Sequence, residues 1–330
     1  MQKLIYFSLI SVLLCSCKAF KPSANLSDFE SYFAQEKIDS TTSNNIKVTF
    51  FGTSTLLFDD GENQIIIDGF FSRPPVGKVA FGKVKSNELL IQQIIEKHNI
   101  KTLKGIFVCH SHYDHAMDAP LLSQLTGAKI YGSSSTLNLG KGEKVSETNM
   151  ELFEPGKRIN IGDFQITVIN SKHTPPFKLL GKSNATAPNH PNIDEPLQQP
   201  AKVDHYIEGG TYDIYIECNG KRFLVKASTN YIEGALKNYP CDVFFLGTAM
   251  LGIQHNEFQE NYYNETISAT RAKTVIPIHW DNFMHPISKP LIALPNISDN
   301  VTAGFNFLLN KTKADNIKLQ LLQGETSVVF

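Results

Sequence analysis

Apolar and polar positions along this 330-residue chain fall into short blocks, not into one sustained periodic run. Residues 46–51 and 54–58 are rich in β-branched and aromatic side chains, Asp59-Asp60-Gly61 follows as a turn, and 64–68 resumes the apolar pattern. This predicts three successive strands. Between Asn87 and His98, Leu89, Leu90, Ile94 and Ile95 recur at helical spacing behind Ser86, a residue type suited to an N-cap. Residues 105–109 form a short apolar strand that runs into a polar cluster, and Asp118-Ala119-Pro120 predicts a helix start with aspartate as the cap. Further strands are expected at 129–131, 164–170, 212–218, 222–226, 243–246 and 274–278, with a helix near 260–271. Interleaved strands and helices, with repeated strand-to-polar-loop transitions, predict a layered α/β domain.

Two stretches break the pattern. After Met1-Gln2-Lys3, residues 4–14 are almost wholly apolar, too short to span a bilayer but suited to a secretory signal. The run ends Leu14-Cys15-Ser16-Cys17, which resembles the lipobox of bacterial lipoproteins. That resemblance implies a signal peptide at 1–17, acylation of Cys17, and an extracytoplasmic domain anchored by lipid to a bacterial membrane, facing the periplasm or the cell surface. Residues 18–45 read as a polar tether, in which Phe29, Tyr32 and Phe33 mark a short docking helix, and 46–330 as the domain proper. The second stretch, 174–205, carries six prolines and few apolar residues. A loop this long in a compact domain reads as a flap over a site, with a disordered insertion as the alternative.

Composition narrows the class. Hydrophobic residues at 42% and charged residues at 19% are ordinary for a globular domain with a sizeable core. A formal net charge of −1 argues against a nucleic-acid partner, whose phosphates call for a basic surface, and leaves a small molecule as the expected substrate. Cys109, Cys218 and Cys241 are the cysteines of the domain, and an odd number allows at most one disulfide.

The chemistry lies in His110-Ser111-His112-Tyr113-Asp114-His115, four metal-ligand side chains within six residues. Two apart in an extended chain, His110 and His112 point the same way, whereas Asp114 and His115 fall where the chain turns towards a helix and face a neighbouring position. Imidazole and carboxylate together suit zinc or a similar transition metal, one or two ions. His173 and His279 each follow an apolar strand, the same context as His110, and strand ends are where α/β folds build sites.

This ordered set resembles the metallo-β-lactamase superfamily, whose fold is an αββα four-layer sandwich. The opening Phe51-Gly52-Thr53-Ser54-Thr55 and Asp68-Gly69-Phe70-Phe71-Ser72-Arg73-Pro74, with the ending Ile276-Pro277-Ile278-His279-Trp280-Asp281, is similar to the branch of ascorbate-6-phosphate lactonases and phospholipase-D-like acylethanolamine enzymes. The resemblance implies a first metal on His110, His112 and His173, a second on Asp114, His115 and His279, and Asp68 as an acceptor that fixes a ligand imidazole. Two positions depart from it. Ser228 stands where most members carry a bridging aspartate, which implies a weaker second site, and Thr53 stands where the lactonase branch often shows histidine. The expected chemistry is hydrolysis of a lactone, ester or phosphodiester by a metal-activated water, with Asp114 moving a proton and Tyr113 donating to an oxyanion. Arg73 and Trp280 are weaker candidates for substrate contact, with an ordinary structural role as the better reading of each. A β-lactamase and a non-catalytic metal-binding lipoprotein are the competing readings.

Overall fold

The computed structural model describes residues 18–34, 45–176, 178–179, 182–183 and 192–330. The expected signal at 1–17, Cys17 included, and the 35–44 part of the expected tether lie outside the described residues.

Side-chain alternation along the strands divides the apolar residues between two cores. In β2 (Leu56–Asp59), β3 (Gln64–Ile67) and β4 (Leu103–Phe107), Phe58, Ile65, Ile67 and Phe107 point into one core while Leu57, Ile66 and Ile106 point into the other. The first core fills the space between two sheets, where Phe58 meets Phe223 and Phe245 edge-on at 5.4 and 5.8 Å. The second lies between the first sheet and helices α2 (Glu88–Lys97), α4 (Ala119–Thr126) and α5 (Ser134–Gly142), which contribute Ile91, Ile94, Leu122 and Leu139.

Each sheet has seven strands. The first runs in the order β16 (Thr326–Val329), β1 (Lys47–Phe50), β2, β3, β4, β5 (Lys129–Gly132), β6 (Met150–Leu152). The second runs β15 (Lys318–Leu319), β14 (Thr274–Ile278), β13 (Val243–Gly247), β12 (Lys221–Lys226), β11 (Thr211–Cys218), β8 (Phe164–Ser171), β7 (Arg158–Ile161). Both are antiparallel at one end and parallel at the other, so β3, β4, β12, β13 and β14 release their C-terminal ends in neighbouring positions. A two-residue pair, β9 (Lys178–Leu179) and β10 (Lys182–Ser183), lies in the long loop. Helices α6 (Asn256–Tyr263) and α7 (Val301–Ala314) complete the outer layer of the second sheet, with Tyr262 donating to Gly247 O at 2.7 Å. The expected αββα sandwich is the observed fold.

Several expectations are corrected in detail. Asn87, not Ser86, caps α2: its side chain accepts from Leu90 N, while Ser86 Oγ donates to Met117 O. Asp118 sits at the start of α4 but turns its carboxylate to the backbone of Phe71 and Ser72. The helix expected near 260–271 begins at Asn256 and passes into a wider turn at Asn264–Ser268. Residues 18–34, read as a tether with a short docking helix, are packed on the domain: Ser23 and Ala34 donate to Leu294 O and Leu321 O, and the docking helix is a 3-10 helix at Leu26–Tyr32 whose buried Phe29 meets Phe305 edge-on at 5.2 Å. Burial of one phenylalanine outweighs the polar composition around it. Part of the expected flap is likewise strapped down, since Ile193 N donates to Ser135 Oγ and Gln199 bridges Glu143 and Met117; residues 184–191 lie outside the described set.

Candidate metal centre

Four strand ends build the centre. Asp68 follows β3, His110 stands three residues beyond β4, His173 follows β8, and His279 follows β14 directly. The chain is extended through His112 (φ −60°, ψ 153°) and then turns into α3 (Tyr113–Ala116), with His115 N and Ala116 N both donating to His112 O. This change of period sends His110 and His112 to one position and Asp114 and His115 to the next, as the spacing predicts.

The distant histidines arrive where each pair needs a third donor. His173 packs against His110 and His112, with ring centroids at 4.9 and 4.7 Å. His279 Nε2 lies 3.2 Å from His115 Nε2 and 3.4 Å from Asp114 Oδ2, and His115 Nε2 lies 3.6 Å from that same oxygen. A tetrahedral zinc with ligand bonds of about 2.0–2.1 Å spaces its ligand atoms about 3.3 Å apart, so these three edges are those of a coordination site. Within each triad, His110–His112–His173 and Asp114–His115–His279, the donor atoms lie within 4.8 Å of one another. His110 and His115, tilted at a ring separation of 3.8 Å, join the two.

Ring orientation is settled by the second nitrogen. His115 Nδ1 donates to Asp68 Oδ2 at 2.8 Å, and His173 Nδ1 donates to Thr174 O at 3.0 Å, which leaves Nε2 of each as a lone pair facing its triad. Asp68 is itself held by Cys109 N at 2.7 Å and by the Ser54 hydroxyl. The sequence reading found Asp68 but missed Ser54, which also touches His115 Nδ1 at 2.9 Å.

Electrostatics separate the two triads. Burial, reinforced by the neighbouring histidines, drives His110 well below the ordinary imidazole range, and burial with His173 drives His112 down to about 3. Burial lowers His173 as well, so the neutral imidazole is favoured at all three positions of the first triad. Burial opposes the charge of Asp114, but His115 and His279 outweigh it and hold the carboxylate ionised; burial likewise opposes protonation of His115, but Asp68 and Asp114 outweigh it and raise its pKa. Carboxylates that favour a proton on His115 favour a dication there equally. Both ring nitrogens of His110 are buried without a hydrogen-bond partner. Unpaired imidazole nitrogens beside an ionised carboxylate fit a bound transition-metal cation.

A buried clamp fixes His279. Its backbone is in the left-handed region (φ 57°) and donates to Thr53 O at 2.6 Å; Thr53, also left-handed (φ 51°), donates to Asp281 Oδ1 at 2.7 Å. Asp281 pairs with Arg73 at 2.8 Å, both side chains fully buried, and Arg73 reaches on to Phe51 O. Arg73 is thus a structural cation and not a substrate contact. Trp280 is also fully buried, edge-on to Phe33 and Phe305. Both sequence readings missed the reason: the residues flanking a strand-end histidine carry its support.

Tyr113 packs edge-on between Phe70 and Phe283 at 6.0 and 6.1 Å, and burial followed by Asp114 raises its pKa well above the ordinary phenol value. Its observed contacts are those of packing. Ser228 is buried two residues beyond β12 and accepts from Asn230 N through its backbone. Among the described residues no carboxylate belongs to both triads; Asp114, with Asp68 behind His115, concentrates negative charge at the second. The residues after Ser228 were missed by sequence reasoning: Thr229 N donates to Thr174 Oγ1 and Asn230 Nδ2 to His173 O, so this loop sets the first triad. Below it, the buried pair Lys226–Asp213 ties Ser171 at the end of β8.

The family model described as the beta-lactamase superfamily domain matches residues 63–280, a span that contains every ligand of both triads. The chain belongs to this superfamily. A UPF0173 metal-dependent hydrolase of Heliobacterium modesticaldum is 32% identical over 88 residues, 27% of this chain and 30% of that protein, so the chain spans under a third of that relative. A UPF0173 metal-dependent hydrolase of Staphylococcus aureus is 23% identical over 244 residues, covering 72% of this chain and 87% of that protein. Among solved structures, a metallo hydrolase from Ignicoccus hospitalis superposes with a TM-score of 0.53 at 16% identity, covering 87% of this chain and 98% of that one. At that identity the likeness is one of fold: the beta-lactamase superfamily sandwich.

Proposed function

We propose that the chain is a metal-dependent hydrolase that cleaves a lactone, ester or phosphodiester. The observation that carries this reading is the convergence of two donor triads, one neutral and one bearing Asp114, at adjoining strand ends. His110, His112 and His173 would hold one cation and Asp114, His115 and His279 the other, with zinc best suited to the nitrogen-rich set. Bound there, a divalent cation would lower the pKa of a water towards about 7 and polarise the carbonyl or phosphoryl oxygen under attack.

The chain's own residues supply the rest. Asp68 and Thr174 O fix the tautomers of His115 and His173, so that lone pairs face the centre without rearrangement. Asp114 keeps its carboxylate ionised at neutral pH, as a proton acceptor next to the site of attack must. The fit of the lactonase-like opening is supported by the places of Ser54 and Asp68 behind His115. The N-terminal lipobox supports a lipid-anchored, extracytoplasmic location, with Cys17 as the acylated residue.

The test is metal content together with turnover on ester, lactone, phosphodiester and β-lactam panels. Chelator-sensitive hydrolysis, lost with metal in His112→Ala, is the expected result. Unchanged metal in that variant would refute the ligand assignment, and bound metal without turnover on any panel would favour a metal-binding lipoprotein. Chelator-sensitive nitrocefin turnover above the other panels would favour a β-lactamase.

A further inference from the structure

The segment between the Asp68 turn and α2 runs along the edge of the domain, with Val79 packed on the second core. Its start is held by Ser72, whose hydroxyl accepts from Asn87 N at 2.7 Å and donates to Asp118 Oδ1 at 2.7 Å. The second limb is stapled at Val84, 1% exposed, which exchanges both backbone hydrogen bonds with Ala201. Between these fixed points stands a short helix, α1 (Val76–Phe81), with no buried residue.

What this segment exposes is unusual. Phe81 is 94% exposed, the most of any large apolar residue among those described, and Val76 is 55% exposed. Lys78, Lys83 and Lys85 are exposed around them, while the sequence from Gly69 to Asn87 contains no acidic residue. Arg73, at the base, is already neutralised by Asp281. A fold that anchors both limbs of a segment, yet leaves a phenylalanine in water at its tip, presents that side chain to something. Two exposed apolar side chains are far fewer than the roughly 20–30 residues a side that a stable protein interface uses. One aromatic and one aliphatic side chain ringed by lysines do match the interfacial zone of a bilayer, where rings sit at headgroup level and ammonium groups meet lipid phosphates.

We propose that residues 75–85 form a docking element for an anionic bilayer surface, with Phe81 and Val76 entering the interface and Lys78, Lys83 and Lys85 on the headgroups. The element depends neither on the metal centre nor on acylation of Cys17. Alongside an acyl chain it would supply the second of the two signals that stable membrane attachment takes. It would also hold one fixed face of the domain towards the lipid.

The test uses the full chain, whose only tryptophan, Trp280, is fully buried and spectroscopically silent to a surface event. Phe81→Trp places a reporter at the tip without touching the core. With phosphatidylglycerol vesicles the introduced indole should shift to the blue and be quenched by brominated acyl chains, and much less so with phosphatidylcholine. Each of Lys78→Ala, Lys83→Ala and Lys85→Ala should weaken that partitioning roughly fivefold. Emission that stays solvent-like while the protein is vesicle-bound would overturn the proposal. So would quenching that ignores lipid charge and the lysines, or a blue shift without vesicles that grows with protein concentration, which would assign the tip to a second copy of the chain.

Discussion

His112 shows how burial prepares a side chain for a metal before any metal is present. Its neutral form is favoured down to about pH 3 in the folded chain, against about 6.5 for an unperturbed imidazole. Between those values the unfolded chain binds the proton first, so this residue's contribution is fully present above about pH 6.5 and is lost as pH falls towards 3. His115, its pKa raised by Asp68 and Asp114, works in the opposite direction, so a variant is needed to separate the two. Chelator-treated protein should lose denaturant midpoint between pH 7 and pH 5, and His112→Gln should flatten that slope. An unchanged slope would mean that His112 is solvated and not held neutral. The residue identities here were legible in the sequence, because four ligand types in six residues leave little else to read. The tautomer of His115 was not, since Asp68 and Ser54, which hold its Nδ1, come from other segments.

At the level of elements, the centre is a set of loops released by strand ends, and the loop 51–55 shows how tightly they are fitted. Gly52 lies at φ 90°, and a Cβ there would stand 1.9 Å from Arg73 Nη2 and 2.8 Å from Asp281 Oδ2. Gly52→Ala should therefore part the buried pair, at a cost of about 3–5 kcal/mol in unfolding free energy. Because the pair holds Thr53 and Thr53 holds His279, metal titration should show the second site weakened and the first intact. Lower stability with both sites unchanged would reduce the clamp to a purely structural role. Strand positions were read well from alternation, and the ends of α2 and α6 less well. Asn87 and Ser86 are equally good caps by residue type, and only the pull of Met117 O on Ser86 decides between them.

Across the whole molecule, the first sheet closes through β16, which pairs Val328 with Val48 and so joins the C-terminal end of the chain to the start of the domain. The N-terminal segment packs on the other half, against α7 outside the second sheet, where Phe29, 4% exposed, fills a place beside Phe305. Phe29→Ala should cost about 3 kcal/mol of stability, read as a lower thermal midpoint, and should leave metal content unchanged because Phe305 and Trp280 stand between Phe29 and His279. Loss of metal in that variant would show that the segment reaches the centre. The three described cysteines are all buried and free, so packing and not cross-linking holds the halves together. β15 has two residues, too few to show a period, whereas β16 and the longer α7 were simply not read, so no element beyond Asp281 was assigned from sequence.

The sequence alone determined that a strand delivers His110 and His112 to one point and Asp114 and His115 to another. Period two gives way to a helical turn within six residues, and that change is local. It also determined that His173 and His279 stand at strand ends. Only the tertiary structure decided that these ends meet, because convergence depends on which strands are neighbours in each sheet and how the two sheets stack. It alone turned Arg73 and Trp280 inward, bound residues 18–34 to the domain, and left Phe81 outside. Each of those outcomes is set by the partner a side chain finds across the fold, and no spacing along the chain encodes that partner.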